Sequence, residues 1–233
     1  MFNNNFSIGI VGLGTVGTAT IQLLEKKIES INFKSGKNIT IKAISSKNFS
    51  KKRNIDLTKY EWENDPEKLA MRDDIDAVVE LVGGSDGIAK NLAFSAINNK
   101  KHFITANKAL IAKHGYSLHE KIIDKNISIY YEAAVAGAIP IINGIKNGLV
   151  SSNIIGIEAI LNGTCNYIMS DMTSNNISFQ DSLKTAQELG FAEADPSFDI
   201  EGIDSAHKLV ILGMLAYGAK PNLDKVFIEG ITS

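Results

Sequence analysis

Residues 12–17 read Gly-Leu-Gly-Thr-Val-Gly, the spacing G-x-G-x-x-G, directly after an apolar run from Phe6 to Val11. After a strand and at the start of a helix, that spacing can hold a diphosphate. Gly12 permits the tight turn, Gly14 lets an anion approach the backbone, and Gly17 lets the helix pack closely on the strand. The N–H groups of Leu13, Thr15 and Val16 then sit at the positive end of a helix dipole. A second concentration of chemistry lies between residues 193 and 208, where Glu193, Asp195, Asp199, Asp204 and Lys208 fall close together. Asp204 and Lys208 are four apart and share one side of a helix. By spacing alone they form a surface ion pair worth about 0.3–0.5 kcal/mol. The apolar run from Leu209 to Leu215 argues instead for a mostly buried helix. A lysine in a partly dry site is a candidate proton donor, and grouped carboxylates suit a substrate ammonium.

These residues must be positioned by alternating strands and helices. Strands are expected at Phe6–Val11, Ile39–Ile44, Asp76–Leu81, His102–Thr105 and Ser128–Tyr131, from short β-branched runs. Helices are expected at Thr15–Ser30, Ile88–Ile97 and Asn107–Lys125, the last broken at Gly115. Such alternation gives a doubly wound parallel sheet of the Rossmann kind. Lys108 follows the fourth strand, and Gly83 and Gly84 follow the third, at the strand ends where such sheets gather ligands. Near residue 137 the texture changes. A connecting helix is expected at Ala138–Leu149, a long strand at Ile154–Leu161, and helices at Gly163–Ser174, Phe179–Leu189 and Glu201–Tyr217. A last strand is expected at Val226–Ile231. The division is therefore a dinucleotide-binding domain over 1–136 and a second domain over 137–233.

An acidic residue about 20 positions after the glycine loop would hold the ribose 2′-hydroxyl of NAD. No Asp or Glu occurs between Glu29 and Asp56, and Ser45, Ser46, Lys47, Lys51, Lys52 and Arg53 stand there instead. Hydroxyls and cations favour a 2′-phosphate, hence NADP over NAD.

Composition narrows the class. Of 233 residues, 24 are basic and 26 acidic, for a net charge of −2, and Arg53 and Arg72 are the only arginines. Neither nucleic acid nor an acidic membrane surface is an expected partner. The single cysteine, Cys165, fits a reducing, cytoplasmic setting. Met1–Phe6 carries no basic region before an apolar stretch, and no run reaches the roughly 20 apolar residues of a membrane span. The four histidines are scattered without metal-ligand spacing.

Five segments resemble homoserine dehydrogenases in sequence, order and spacing. They are Thr105–Ala112 (TANKALIA), Glu132–Ile142 (EAAVAGAIPII), Ile160–Ile168 (ILNGTCNYI), Ala186–Pro196 (AQELGFAEADP) and Gly202–Lys208 (GIDSAHK). The resemblance covers essentially the whole chain. It implies an NAD(P)-dependent interconversion of L-homoserine and L-aspartate 4-semialdehyde, with Lys208 as proton donor and acceptor. It implies that Glu193 and Asp204 touch homoserine, that Asp199 lies close by, and that Lys108 stands beside cofactor and substrate. Gly190 is implied near the nicotinamide, and Glu132, Val135, Gly137 and Ile139 around a monovalent cation, usually sodium. A homodimer is implied as well, and residues 137–233 are implied to be an incomplete α+β substrate and dimerisation domain. Two departures stand out: Ala138 replaces a common glycine and Cys165 a common threonine. Cys165 reads as a small packing residue at a helix start. Family members also run on past residue 233, so the chain reads as C-terminally truncated and is expected to bind cofactor better than it turns over. Other readings are a dehydrogenase for another amino-acid-like aldehyde or imine, and a non-catalytic nucleotide-binding module. Retention of both lysines and all the acids favours the enzyme.

Overall fold

The computed structural model describes residues 4–232, and its backbone separates into two units, one ending at Ala138 and one beginning at Ile139. In the first, β1 (Asn5–Val11) is the buried centre of a parallel sheet. It is followed by α1 (Thr15–Ser35), β2 (Asn38–Ser45), β3 (Glu61–Trp62), α2 (Pro66–Met71) and β4 (Ala77–Glu80). Then come α3 (Ile88–Asn98), β5 (His102–Thr105), α4 (Lys108–Ile122) and β6 (Ile129–Tyr130). The strand order is β3-β2-β1-β4-β5-β6. The chain therefore reverses its direction of travel between β1 and β4, and that switch point is where ligands bind in open α/β sheets.

Apolar residues explain the arrangement. Ile8, Ile10, Ile44 and Val79 from three neighbouring strands pack with Leu13 and Ile21, so β1 is covered by its own following helix. Helix α1 runs further than its apolar spacing suggests and ends at Gly36, whose φ of 67° is left-handed. Helix α4 runs through Gly115 without a break, because Leu110, Ile111 and Leu118 are buried on either side of it. That burial outweighs the cost of about 1 kcal/mol for an interior glycine. Strand β3 and helix α2 are additions to the sequence reading. The start of α2 was signalled by Asp65-Pro66-Glu67: Asp65 accepts from the Glu67 N–H, and proline occupies the first turn.

The second unit is helical among the described residues: α5 (Ile141–Asn143), α6 (Gly163–Asn175), α7 (Phe179–Glu188), α8 (Ser197–Ile200) and α9 (Ile203–Tyr217). Its core joins Ile168, Ala186, Ala192 and Ile200. The expected helix at 138–149 is instead the short α5 and a π-helical stretch over Gly144–Gly148, where glycines weaken the helical repeat. Neither of the strands expected at 154–161 and 226–231 forms a strand ladder among the described residues, and the Ile231 N–H instead donates to the Ile200 carbonyl (2.9 Å). Ile155 is 94% exposed and Phe227 87%. β-branched residues supply strand propensity, but a strand exists only where a partner completes its ladder. No helix among the described residues is long and apolar enough to cross a membrane.

Ala136 and Ala138 take φ of 50° and 70°, a left-handed backbone that costs an alanine about 1–2 kcal/mol. Ala138→Gly is therefore expected to raise stability by about 0.5–1 kcal/mol, after allowing for the looser unfolded chain. Thermal unfolding should show a rise of about 1–4 °C; an unchanged or lower midpoint would count against the strain.

Candidate active site

The glycine loop is shaped by two contacts within the protein and one open face. Gly12 has φ of 100°, and a Cβ there would lie 2.4 Å from the Leu81 carbonyl oxygen. A Cβ on Gly17 would lie 1.8 Å from the Gly12 carbonyl oxygen. Both glycines are demanded by the fold. A Cβ on Gly14 would meet nothing within 4 Å, so the fold leaves space there that the other two glycines lack. Helices α2, α4, α6 and α7 each start with a side chain accepting from a first-turn N–H, namely Asp65, Asn107, Asn162 and Ser178. Helix α1 starts on Gly14 with no such side chain and no acid in its first turn. Its leading N–H groups are therefore not capped by a side chain, as is also true of α3, α8 and α9.

Beside this loop Arg53 stitches the segment after β2 to the glycine turn. Its Nε donates to the Leu13 carbonyl (3.0 Å), Nη1 to the Lys51 carbonyl (2.8 Å), and Nη2 to the Asn48 carbonyl (2.8 Å) and the Ser46 hydroxyl (3.2 Å). The guanidinium is spent on its own loop. The exposed Lys51 and Lys52 line, together with Arg53, the cleft shared with Gly14, Thr15 and Thr18.

Ser45, Val11, Glu80 and Thr105 are register partners, side by side at the carboxyl ends of β2, β1, β4 and β5. All four are buried. Glu80 Oε1 accepts from the Val82 and Gly83 amides (2.7 and 3.1 Å), and Oε2 accepts from the Thr105 hydroxyl (2.6 Å). The Asn107 amide donates to Thr105 Oγ1 (2.8 Å), and Asn107 Nδ2 donates to the Gly84 carbonyl (2.6 Å). Asn107 Oδ1 caps α4, whose first residue is Lys108.

In the second unit the acids converge. Lys208 Nζ lies 2.7 Å from Asp204 Oδ2 and donates to the Leu161 carbonyl at 2.7 Å. Asn162 Nδ2 bridges Asp199 Oδ1 (2.7 Å) and Asp204 Oδ2 (2.8 Å), while its Oδ1 caps α6 at Cys165. Thr164 Oγ1 is within reach of the Phe191 carbonyl (2.7 Å) and Asp199 Oδ2 (3.1 Å). Asp204 is buried and Lys208 nearly so, which makes this a desolvated ion pair rather than a surface one. An ammonium has three hydrogens, and two are directed at Asp204 and Leu161.

A model of the homoserine dehydrogenase NAD-binding domain matches residues 12–132, and a model of homoserine dehydrogenase matches residues 140–233. The chain belongs to the homoserine dehydrogenase family. Homoserine dehydrogenases of Neisseria gonorrhoeae and Helicobacter pylori are 43% and 45% identical to it over 226 and 225 residues, 97% of this chain and 52% of theirs. The crystal structure of a homoserine dehydrogenase from Thiobacillus denitrificans superposes with a TM-score of 0.86 at 39% identity, over 98% of this chain and 53% of that one. A hyperthermophilic archaeal homoserine dehydrogenase in complex with NADPH superposes with a TM-score of 0.80 at 25% identity, over 93% and 71%. The chain thus spans about half the length of the curated relatives it matches.

As the resemblance implied, Asp199, Asp204 and Lys208 come together, joined by Asn162 and Thr164, to which the sequence reading gave no role. The side chain of Glu193 is exposed, and only its backbone carbonyl is engaged, by Gln187 Nε2 at 3.1 Å. Gly190 (φ 78°) donates its N–H to the Gln187 carbonyl and closes α7. Glu132 opens a 3-10 turn, Val135 is buried, Gly137 lies between the two left-handed alanines, and Ile139 is exposed. Cys165 is buried, and burial followed by Asp199 and Asp204 pushes its thiol up, so it stays protonated and donates to the Asp199 carbonyl at 3.2 Å.

The glycine geometry separates fold from binding. Gly17→Ala is expected to cost about 1–3 kcal/mol of stability through overpacking. Gly14→Val should cost no more than about 1 kcal/mol, as a poorer helix cap, yet abolish dinucleotide binding in titration. A folded Gly14→Val protein with unchanged affinity would refute the assignment of the loop.

Proposed function

We propose that the chain carries the cofactor site and the proton-transfer site of an enzyme that interconverts L-homoserine and L-aspartate 4-semialdehyde with a nicotinamide dinucleotide. The observation that carries this is the buried Lys208–Asp204 pair, tied through Asn162 to Asp199. The nicotinamide would exchange a hydride with the substrate's terminal carbon, and the residues of this chain supply the rest. During reduction Lys208 Nζ gives a proton to the carbonyl oxygen, and in the reverse direction it recovers that proton from the hydroxyl. Asp204 and the Leu161 carbonyl hold the ammonium in place. Asp199, Asp204 and, by resemblance, Glu193 are the anions suited to the substrate's ammonium group. Lys108, at the head of α4, is the second lysine of the proposal, set beside the reacting groups by the same resemblance, as is Gly190 beside the nicotinamide.

The proposal extends to NADP as the preferred cofactor, supported by the acid-free stretch after β2 and by the exposed lysines on the cleft at Gly14. A relative of this family is solved in complex with NADPH. It also includes a monovalent cation at Glu132, Val135, Gly137 and Ile139. One carboxylate and backbone carbonyls make an all-oxygen shell that suits a hard cation. A homodimer working in the cytoplasm on small molecules completes it, in keeping with the single, buried, protonated cysteine.

Two measurements decide the core. In the protein extended to its relatives' length, Lys208→Ala should lower turnover about 100- to 10,000-fold and leave NADPH affinity in place. Near-normal turnover would reduce the pair to a structural one. Lys51→Ala with Lys52→Ala should weaken NADP about 10- to 100-fold, the worth of charge-assisted bonds to phosphate, without changing NAD. Arg53→Ala should weaken both cofactors, because it releases the glycine turn. A clear preference for NAD in the unsubstituted protein would overturn the NADP reading.

A further inference from the structure

The group least explained so far is Glu80, a fully buried carboxylate at the crest of β4. We propose that Glu80 is a positioning residue for the nicotinamide half of the cofactor, acting through the loops that follow β4 and β5. The inference rests on the cofactor reading above.

Three observations lead to it. First, the donors to Glu80 are neutral and come from two successive segments of the sheet crest: the Val82 and Gly83 amides in the loop after β4, and the Thr105 hydroxyl at the end of β5. Second, the direction of the chain of bonds is set. The Asn107 amide donates to Thr105 Oγ1, whose own hydrogen goes to Glu80. Every partner of Glu80 is thus a donor, and only a group that accepts at both oxygens satisfies them all. A glutamine would turn its NH2 either on the backbone amides or on the threonine hydrogen. Third, the ring closes on groups open to a ligand. Asn107 Nδ2 ties down the Gly84 carbonyl, and Gly83 and Gly84 (φ 87° and 79°) have nothing within 4 Å of where a Cβ would stand.

Position gives the ring its meaning. Glu80 is the register partner of Val11, and the Leu81 carbonyl is what forbids a side chain at Gly12. The Arg53-held segment lies on the β2 side of the glycine turn, and the Glu80-held loops lie on the β4 and β5 side. A dinucleotide across a switch point puts its diphosphate at the first loop and one nucleoside on each side. With the lysines marking the adenosine side, the glycine surface built by Glu80 is left for the flat nicotinamide ring. Asn107 also starts the helix that carries Lys108.

The test compares two probes, NADPH and adenosine 2′,5′-bisphosphate, which lacks the nicotinamide half. Both are titrated against the unsubstituted protein, Glu80→Gln, Thr105→Val and Thr105→Ser. Glu80→Gln and Thr105→Val are expected to weaken NADPH about tenfold, the net worth of a hydrogen bond, and to leave the bisphosphate unchanged. Thr105→Ser keeps the hydroxyl and should restore NADPH affinity. If Glu80→Gln does not fold, the Thr105 pair decides alone. Equal losses for both probes, or unchanged NADPH affinity in the folded variants, would overturn the inference while leaving the cofactor reading intact. An unsubstituted protein that binds neither probe would overturn the cofactor reading, and the inference with it.

Discussion

A carboxylate removed from water has to be met by donors in fixed places, and both units are arranged around that requirement. Leaving such a group unsatisfied costs several kcal/mol, a large share of the whole stability of a domain. In the first unit the group is Glu80, satisfied by two amides and a hydroxyl. In the second it is Asp204, satisfied by Lys208 and Asn162. The donors are drawn from a loop and a strand end for Glu80, and from a helix start and the next turn of its own helix for Asp204. Buried polar groups with fixed partners specify geometry here, at some expense in stability.

Asparagine is the recurrent coupling element. Asn107 and Asn162 each use Oδ1 to cap a helix and Nδ2 to reach across to another segment. One side chain thereby joins the start of a helix to a distant loop or carboxylate. Lysine placement follows from this: Lys108 begins the helix that Asn107 caps, and Lys208 is held against the carboxylate that Asn162 also binds. The sheet crest adds rigidity, because Ser45, Val11, Glu80 and Thr105 sit in one parallel register across four strands.

The second unit obeys a different rule. Its helices bury a small core around Ile168 and Ala186, while the stretch at residues 154–161 runs largely exposed and without a ladder. In the described residues its order is concentrated where α6, α8 and α9 supply the polar cluster around Asp204.

Much was legible in the residues themselves. The strand–glycine–helix passage at Phe6–Gly17, the alternation up to Tyr131, the helix over Asp204 and Lys208, and the acid-free stretch after β2 all follow from local pattern. Periodicity and backbone conformation are decided within a few neighbouring residues. Other features depended on partners far away in the chain. Glu80 drew no reading of its own within the expected strand Asp76–Leu81, because its bonds depend on β5 bringing Thr105 alongside. Arg53 read as one more cation, but the fold turns it inward to carbonyls up to 40 positions distant. Residues 154–161 and 226–231 had strand composition, yet strand formation needs a neighbour that composition cannot provide. Local sequence determined which elements form and where chemistry is available. Tertiary structure decided which polar groups lose their water, and therefore which of them must find one another.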